Sequence, residues 1–520
     1  MANAQAPLPH PPLEGSARVW GTIALSAATF MNVLDTSIAN VSLPAIAGDL
    51  GVSPNQGTWV ITSFAVANAI AVPLTGWLSQ RVGQVRLFVA SVVLFVIASW
   101  LCGLAPNMTA LIAFRALQGF VAGPMIPLSQ TLLLASYPRA QAGLAMAMWS
   151  MTTLVAPVMG PLLGGWITDN IAWSWIFYIN IPVGIAAAFA SFAIYRKRES
   201  PTRQLPIDKV GLAVLVLWIG CLQVMLDLGK EYDWFSSPLI VGLAVAAAIG
   251  FAFFLAWELT EEHPVVDLRL FARRNFWGGT IAISVAYGLF FGNVVILPLW
   301  LQQFMGYTAT EAGMVMAPVG LMALVLSPFV GKTLGKVDPR KYATFAFVVF
   351  ALVLWMRSRF NTQADFATIL VPTVIQGIAM AFFFIPLTTI TLSGLTPDRI
   401  PAASGLSNFV RITAGAMGTS IFTTLWESRA ALHHAQLAES VSNGSAAAQM
   451  TLSGLVASGL TQEQALAQVN QMVNQQAFML AANDVFYMSA ALFLLLIPLV
   501  WLTHPQKAGA GAGEAAAGAH

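Results

Sequence analysis

The sequence predicts an all-α polytopic membrane protein: fourteen transmembrane helices, both termini cytoplasmic, in two six-helix bundles with two inserted helices between them. Three observations predict it. Apolar runs have bilayer length, basic residues crowd into alternate loops, and the two halves of the chain resemble each other.

Of the 520 residues, 57% are hydrophobic and only 9% are charged. That is too little charge to cover a soluble protein of this length. A net charge of +2 does not point to nucleic acid. The two cysteines, Cys102 and Cys221, both sit in apolar runs and offer neither a disulfide framework nor a metal spacing. The first apolar run follows Arg18. It exceeds a signal-peptide core and lacks a small-x-small cleavage site, so it reads as an uncleaved first span.

A spanning helix needs roughly 20 mostly apolar residues, because lipid cannot satisfy exposed backbone groups. Such runs lie near 20–44, 57–78, 87–105, 109–133, 142–168, 174–195 and 210–228. The remaining seven lie near 237–257, 276–298, 311–331, 341–356, 366–393, 402–425 and 484–503. Lys and Arg supply an independent check. With the N-terminus cytoplasmic, the inside loops hold Arg81 and Arg86, then Arg139, then Arg196, Lys197, Arg198, Arg203 and Lys209. They go on to Arg269, Arg273, Arg274, Lys332, Lys336, Arg340, Lys341 and Arg399. The outside loops hold only Lys230, Arg357, Arg359 and Arg429. One miscounted helix would invert every later loop and destroy this asymmetry.

The expected organisation is a cytoplasmic N-terminus (1–19), an N-terminal six-helix bundle (20–195), two inserted helices (210–257) and a C-terminal six-helix bundle (276–503). The C-terminal bundle includes a polar periplasmic loop, 426–483, with short helical stretches such as 461–476. Residues 504–520 form a low-complexity cytoplasmic tail whose glycines follow no strand, against a dinucleotide site. Asn443-Gly-Ser is formally a glycosylation acceptor, of a kind that arises by chance. The pair His433-His434 reads as solvated surface, since no Cys or acidic cluster completes a metal site.

The halves match at a spacing of roughly 255–262 residues. Gly76-Trp-Leu-Ser-Gln-Arg81 and Arg86 after span 2 correspond to Gly331-Lys-Thr-Leu-Gly-Lys336 and Lys341 after span 10. Gln118-Gly119 with Pro127-Leu128-Ser129 corresponds to Gln376-Gly377 with Pro386-Leu387-Thr388. Ala142-Gly143-Leu144 corresponds to Ser404-Gly405-Leu406. Three matches in one order make chance improbable, and two rocking halves are a common basis of alternating access.

Over residues 15–505 the chain resembles the major facilitator superfamily, specifically its fourteen-span drug:proton antiporters. The first-span signature runs from Leu34-Asp35-Thr36 to Leu43-Pro44, and the loop after span 2 has the Gly-x-Leu…Arg-x-Gly motif at Gly76, Leu78, Arg81 and Gly83. Span 4 carries Arg115 with Gln118-Gly119, and span 5 carries the antiporter motif at Gly160-Pro161 and Gly164-Gly165. Gln223-Val-Met-Leu-Asp227 and the stretch from Pro386 to Gly394 resemble the EmrB branch. The resemblance implies a major facilitator fold and export of small hydrophobic, often weakly acidic toxic molecules. It implies a proton gradient and no cofactor. It further implies a Gram-negative inner membrane, with a periplasmic adaptor protein (EmrA-like) and an outer-membrane channel (TolC-like) as partners. One departure weakens a carried-over charge relay: Gln80 stands for the motif's Asp, and Gln84 and Val85 for its Arg or Lys.

An ionisable group inside a span is expensive and is usually kept for a partner or a pathway. Asp35 lies about 22 Å from the inside face at about 1.5 Å per residue, and Arg115 about 9 Å from the outside face. In a core about 30 Å thick these depths nearly coincide. An Asp35–Arg115 interaction, direct or through water, follows if spans 1 and 4 are neighbours, as the resemblance implies. Desolvation favours the neutral acid while a guanidinium favours the carboxylate, so changing access or cargo would load or release a proton. The alternative is a fixed ion pair that only holds helices together.

Arg411, mid-span 13, has no evident acidic partner and either attracts anionic cargo or binds helix carbonyls. Asp227 reads as interfacial and structural. Gly160, Pro161, Gly164 and Gly165 imply, by resemblance, a limit on leak between the halves; a generic packing kink is the alternative. Trp149, Met148, Phe290, Phe291, Phe383 and Phe384 are candidate walls of a polyspecific cavity. Competing readings are an exporter or importer of a specific metabolite or lipid, and a membrane-embedded enzyme. The spans show no catalytic cluster and no GxxxxGK[ST] loop, so the chain reads as a secondary active transporter.

Overall fold

A computed structural model describes residues 10–504 apart from 53–56, 58, 139–140, 204–205, 207, 230, 263, 335, 397–398 and 442–444. Arg139, Lys230, the acceptor at Asn443, most of the tail and the side chain of Pro161 therefore lie outside the described residues.

Among the described residues the chain is helical, without a strand. The N-terminal half comprises α1 (Gly15–Asp49), α2 (Trp59–Val82), α3 (Gln84–Gly103), α4 (Met108–Ala122), α5 (Met125–Ser136), α6 (Ala142–Asn170), α7 (Trp175–Tyr178) and α8 (Asn180–Tyr195). The inserted pair is α9 (Lys209–Leu228) and α10 (Pro238–Thr260). The C-terminal half comprises α11 (Arg274–Phe304), α12 (Ala309–Thr333), α13 (Pro339–Arg357), α14 (Phe366–Ala381), α15 (Phe384–Leu392), α16 (Ile400–Ser440), α17 (Ala446–Ala457) and α18 (Gln462–Trp501). Helices occupy all fourteen predicted runs. Twelve are long and apolar enough to cross a membrane; α6 and α16 are long helices outside that twelve.

Three helical passes are interrupted, at Gly123, at Ile179 between α7 and α8, and at Phe382, and one chemistry explains the first and the last. Proline has no N–H to give and its ring clashes with the carbonyl four residues back. Pro127 therefore disrupts the helix at Gly123, where α4 ends, and Pro386 at Phe382, where α14 ends. These two breaks sit at matching places in the two halves, as paired interruptions do in repeat-built transporters.

Each half has its own apolar core, one around Phe347, Phe350 and Phe486, the other around Phe88, Phe95 and Trp149. The second core takes in Val330, Leu334, Ala381 and Ile385 from the other half, so the halves meet there. The inserted pair packs through Leu215 and Trp218 against Val72 of α2 and Phe409 of α16. The basic loops gather at one end of the bundle. There Arg18 donates to Gln141 Oε1, Arg203 N to the Gln80 carbonyl, and Arg340 Nη1 to the Thr503 carbonyl at 3.1 Å.

Two expectations are corrected. Arg357 was assigned to an outside loop, but it ends α13 and is fully buried. Apolar counting stops at Trp355-Met356, and the α-helix does not. The polar stretch 426–483 is also largely continuous helix, because runs such as Ala430-Ala431-Leu432 favour helix without lipid-facing apolarity. In it α16 and α18 pair through Asp484, which accepts from Arg429 Nη2 at 2.6 Å and from His433 Nε2 at 2.8 Å. His434 bonds Asn470 Oδ1, and no group of metal-ligating residues occurs among the described residues.

Asp338 caps α13, accepting from Arg340 N at 3.0 Å and from the Arg340 guanidinium. Burial pushes its carboxyl up, but the Arg340 hydrogen bonds outweigh this and hold it below its ordinary value. The cap's contribution is therefore complete above that ordinary value and lost as pH falls through the lowered one. Asp338→Ala is expected to cost about 0.5–2 kcal/mol near neutrality and to flatten the acid limb of stability against pH. Gly119 has room for no more than hydrogen, since a Cβ would lie 2.2 Å from the Phe64 carbonyl oxygen. Gly119→Val should destabilise by about 1–3 kcal/mol, whereas Gly242→Ala, with nothing within 4 Å, should be neutral or stabilising. Thermal unfolding of the purified variants separates the two.

Candidate functional site

Asp35 faces the interior of the N-terminal half, where α1, α2, α3, α4, α7 and α8 converge. Arg115 Nη1 donates to Asp35 Oδ2 at 2.5 Å and to Gln118 Oε1 at 2.7 Å, and Arg115 Nε donates to the Val60 carbonyl at 3.1 Å. Gln118 Nε2 and Asn180 Nδ2 both donate to Asp35 Oδ1, at 3.0 and 2.8 Å. The same two amides donate to Ser99 Oγ, which in turn donates to the Phe177 carbonyl at 3.0 Å. The rings of Phe64 and Phe177 lie 4.3 and 5.5 Å from the guanidinium carbon. Asp35, Arg115, Gln118 and Ser99 are 0% exposed. Low dielectric strengthens each bond in such a network and makes any unpaired member costly.

The local sequence explains the convergence. Arg115 and Gln118 are one turn apart on α4, so they share a face. Next to them Gly119 lets α2 approach. On the far side of α1, α6 presents Gly160, whose Cβ would lie 2.3 Å from Ser37 Cβ, and Gly164, whose Cβ would lie 2.8 Å from Ile38 Cγ1. These two glycines thus seat the α1 segment that carries Asp35. Gly165 faces open space.

The motif after span 2 serves the contact between bundle elements. A Cβ on Gly76 would lie 2.7 Å from Ala402 Cβ, so α2 and α16 of opposite halves touch there. Gly83 takes φ +99°, which L side chains rarely adopt, and leads into α3. Glu199 plugs that helix start, accepting from Val85 N at 3.0 Å and Arg86 N at 2.9 Å. Arg81 lies over the Trp77 ring. Gln80 and Gln84 use backbone groups instead of side-chain charges, bonding Arg203 N and Ser200 Oγ.

The aromatic candidates separate into two places. Phe290, Phe291, Phe383 and Phe384 form one ladder of ring contacts, joined through Tyr287 to Arg411, whose guanidinium carbon lies 5.1 Å from Tyr287 and 5.4 Å from Phe384. Trp149 belongs to the core of the other half and donates to Ser129 Oγ at 2.9 Å; Met148 takes a contact from Tyr137. Arg411 binds neither a carboxylate among the described residues nor a helix carbonyl: its Nη2 donates to Asn408 Oδ1 at 2.5 Å and its Nε has no partner. Asp227 accepts from Gln223 Nε2 on its own helix.

Sequence reasoning missed the counterpart of the Asp35 cluster. Asp35, Ser99, Arg115 and Gln118 correspond, 258 residues on, to Asn293, Arg357, Thr373 and Gln376. Arg357 Nη2 donates to Gln376 Oε1 at 2.6 Å and Thr373 Oγ1 at 3.1 Å, and Asn293 Nδ2 to Ser489 Oγ at 3.0 Å. The guanidinium has moved to the neighbouring helix and the carboxylate has become an amide. The repeat spacing could have found this, had Arg357 not been set in a loop.

A sequence profile described as the Major Facilitator Superfamily matches residues 25–419. The chain is 53% identical over 510 residues to the multidrug export protein EmrB of Escherichia coli (strain K12), covering 98% of this chain and 99% of that one. It is 48% identical over 505 residues to the fatty acid resistance protein FarB of Neisseria gonorrhoeae, covering 97% and 100%. The crystal structure of the human organic anion transporter MFSD10 (TETRAN) superposes with a TM-score of 0.59 at 12% identity, covering 94% and 100%.

If Asp35 and Arg115 act as one unit, removing one partner strands the other. Asp35→Ala should destabilise by about 3–5 kcal/mol, and adding Arg115→Met should recover a large part of that loss. Additive losses in the double variant, measured by thermal unfolding, would sink the idea.

Proposed function

The chain belongs to the Major Facilitator Superfamily, and from that premise we propose that it is a proton-driven multidrug exporter. Its cargo is small, hydrophobic and often weakly acidic toxic compounds, in keeping with relatives named for multidrug export and fatty acid resistance. The observation that carries the coupling is the sealed Asp35–Arg115 pair, an ionisable carboxylate inside one half with no route to water in this state.

Protonating Asp35 removes the charge that holds Arg115, Gln118 and Asn180 together. Arg115 keeps the Val60 carbonyl, Gln118 and the Phe64 ring. The loosened element is α1, which α6 grips at Gly160 and Gly164. Helix α6 also packs on α12 of the opposite half. A proton on Asp35 is thereby felt where the halves rock.

Adding α6 and α16 to the twelve apolar helices gives fourteen crossings, with both termini at the basic end. The positive-inside asymmetry makes that end cytoplasmic. The halves touch at this end through Gly76 and Ala402, and Val330 and Leu334 join the N-terminal core there. The relatives EmrB and FarB support a Gram-negative inner membrane. The paired extensions of α16 and α18 then stand in the periplasm, where an EmrA-like adaptor leading to a TolC-like channel would dock.

Inverted vesicles with an imposed pH gradient test the coupling. The wild type should move dye only with the gradient, and Asp35→Asn should lose gradient-driven transport while still binding cargo. Undiminished transport by Asp35→Asn would overturn the role of this carboxylate.

A further inference from the structure

A narrow pocket opens between the halves at the basic end, lined by Gln130 of α5, Ile283 of α11, Thr388 and Thr391 of α15, and Ser404, Asn408 and Arg411 of α16. No acidic residue lines it. Arg411 is 5% exposed, its Nε has no hydrogen-bond partner, and its guanidinium lies against the rings of both Tyr287 and Phe384. A buried guanidinium with an open N–H, facing a polar pocket without a counter-charge, is built to receive an anion. The Tyr287 and Phe384 rings that back the guanidinium belong to the aromatic ladder, which lies outside the pocket lining.

The same guanidinium also holds a chain that crosses to the other half. Arg411 Nη2 donates to Asn408 Oδ1 at 2.5 Å. Asn408 Nδ2 donates to Gln130 Oε1 at 3.0 Å, and Ser404 Oγ donates to the same oxygen. Gln130 belongs to α5 of the N-terminal half, and both of its partners, Ser404 and Asn408, belong to α16.

We propose that this pocket binds the carboxylate of anionic cargo on Arg411, and that binding releases the Asn408–Gln130 latch between the halves. The inference rests on the export reading and names the cargo class for which the pocket is made. A carboxylate makes charge-assisted bonds to the guanidinium, stronger than the bond from the neutral Asn408 amide. It therefore draws Arg411 away from Asn408 Oδ1, leaving the amide held only by Ser404 of its own helix and free to turn from Gln130. A neutral molecule of the same shape has no such pull and leaves the latch closed. Cargo charge thus becomes a signal to open the cytoplasmic end.

The test uses the full chain in lipid nanodiscs with 2-naphthoate and its neutral analogue 2-naphthamide. Wild type should bind naphthoate about tenfold tighter than naphthamide. Arg411→Gln should erase that preference while keeping naphthamide binding, which shows the variant is folded, and Arg411→Lys should retain it. By hydrogen exchange, naphthoate but not naphthamide should raise exchange in 125–134 and 400–411, and Gln130→Leu should show the raised level without ligand. An equal preference in Arg411→Gln, or exchange unmoved by naphthoate, overturns the proposal. Gradient-driven efflux of a neutral dye, measured with the same variants in sealed inverted vesicles, separates the two readings. If it persists, only the latch falls; if wild type lacks it, the export reading falls.

Discussion

A charged carboxylate and a guanidinium both need solvation, and the interior of a helical membrane protein has no bulk water to give. In this chain Asp35 and Arg115 solve the problem for each other, with Gln118, Asn180, Ser99 and the Val60 carbonyl closing the remaining valences. The arrangement is satisfied only when α1, α2, α3, α4 and α8 all stand in their places. Helix positions and charge state are therefore one variable, which is what a coupling site requires. The pair sits on α1, which is backed by Gly160 and Gly164 of α6.

The two halves share a plan and differ in charge. Pro127 and Pro386 break matching helices for one reason, yet the clusters just beyond them carry different chemistry. In the N-terminal half a carboxylate is present and can take up a proton. In the C-terminal half Asn293 replaces it, and Arg357 is held by neutral groups. One half thus buries an ionisable acid where the other buries an amide. The other carries the second buried arginine, Arg411, toward the space between them.

The fold was legible because bilayer physics writes itself into the sequence as long apolar runs and one-sided basic loops. The match between depths of Asp35 and Arg115 likewise followed from rise per residue alone. Other features left no such mark. Residues 426–440 and 461–483 are helical without being apolar, so a count of lipid-compatible residues ends too early. Arg357 sits at the last turn of its helix and reaches inward to Gln376, a direction that linear position does not give. Glu199 plugs the start of α3 from more than a hundred residues away, where only the fold brings them together. Ring contacts gather four of the six candidate wall residues beside Arg411, while hydrogen bonds place Trp149 and Met148 elsewhere.

The continuity of α16 has a mechanical result. From Arg411 to Ser440 the helix runs unbroken, a shaft of about 44 Å at about 1.5 Å per residue. Pivoting that shaft by about ten degrees at its buried root would sweep its tip sideways by about 8 Å. Clamped to α18 through Asp484, the tip moves as a stiff pair instead of bending. Small adjustments deep in the bilayer are in this way magnified into a displacement that anything resting on the far surface must follow.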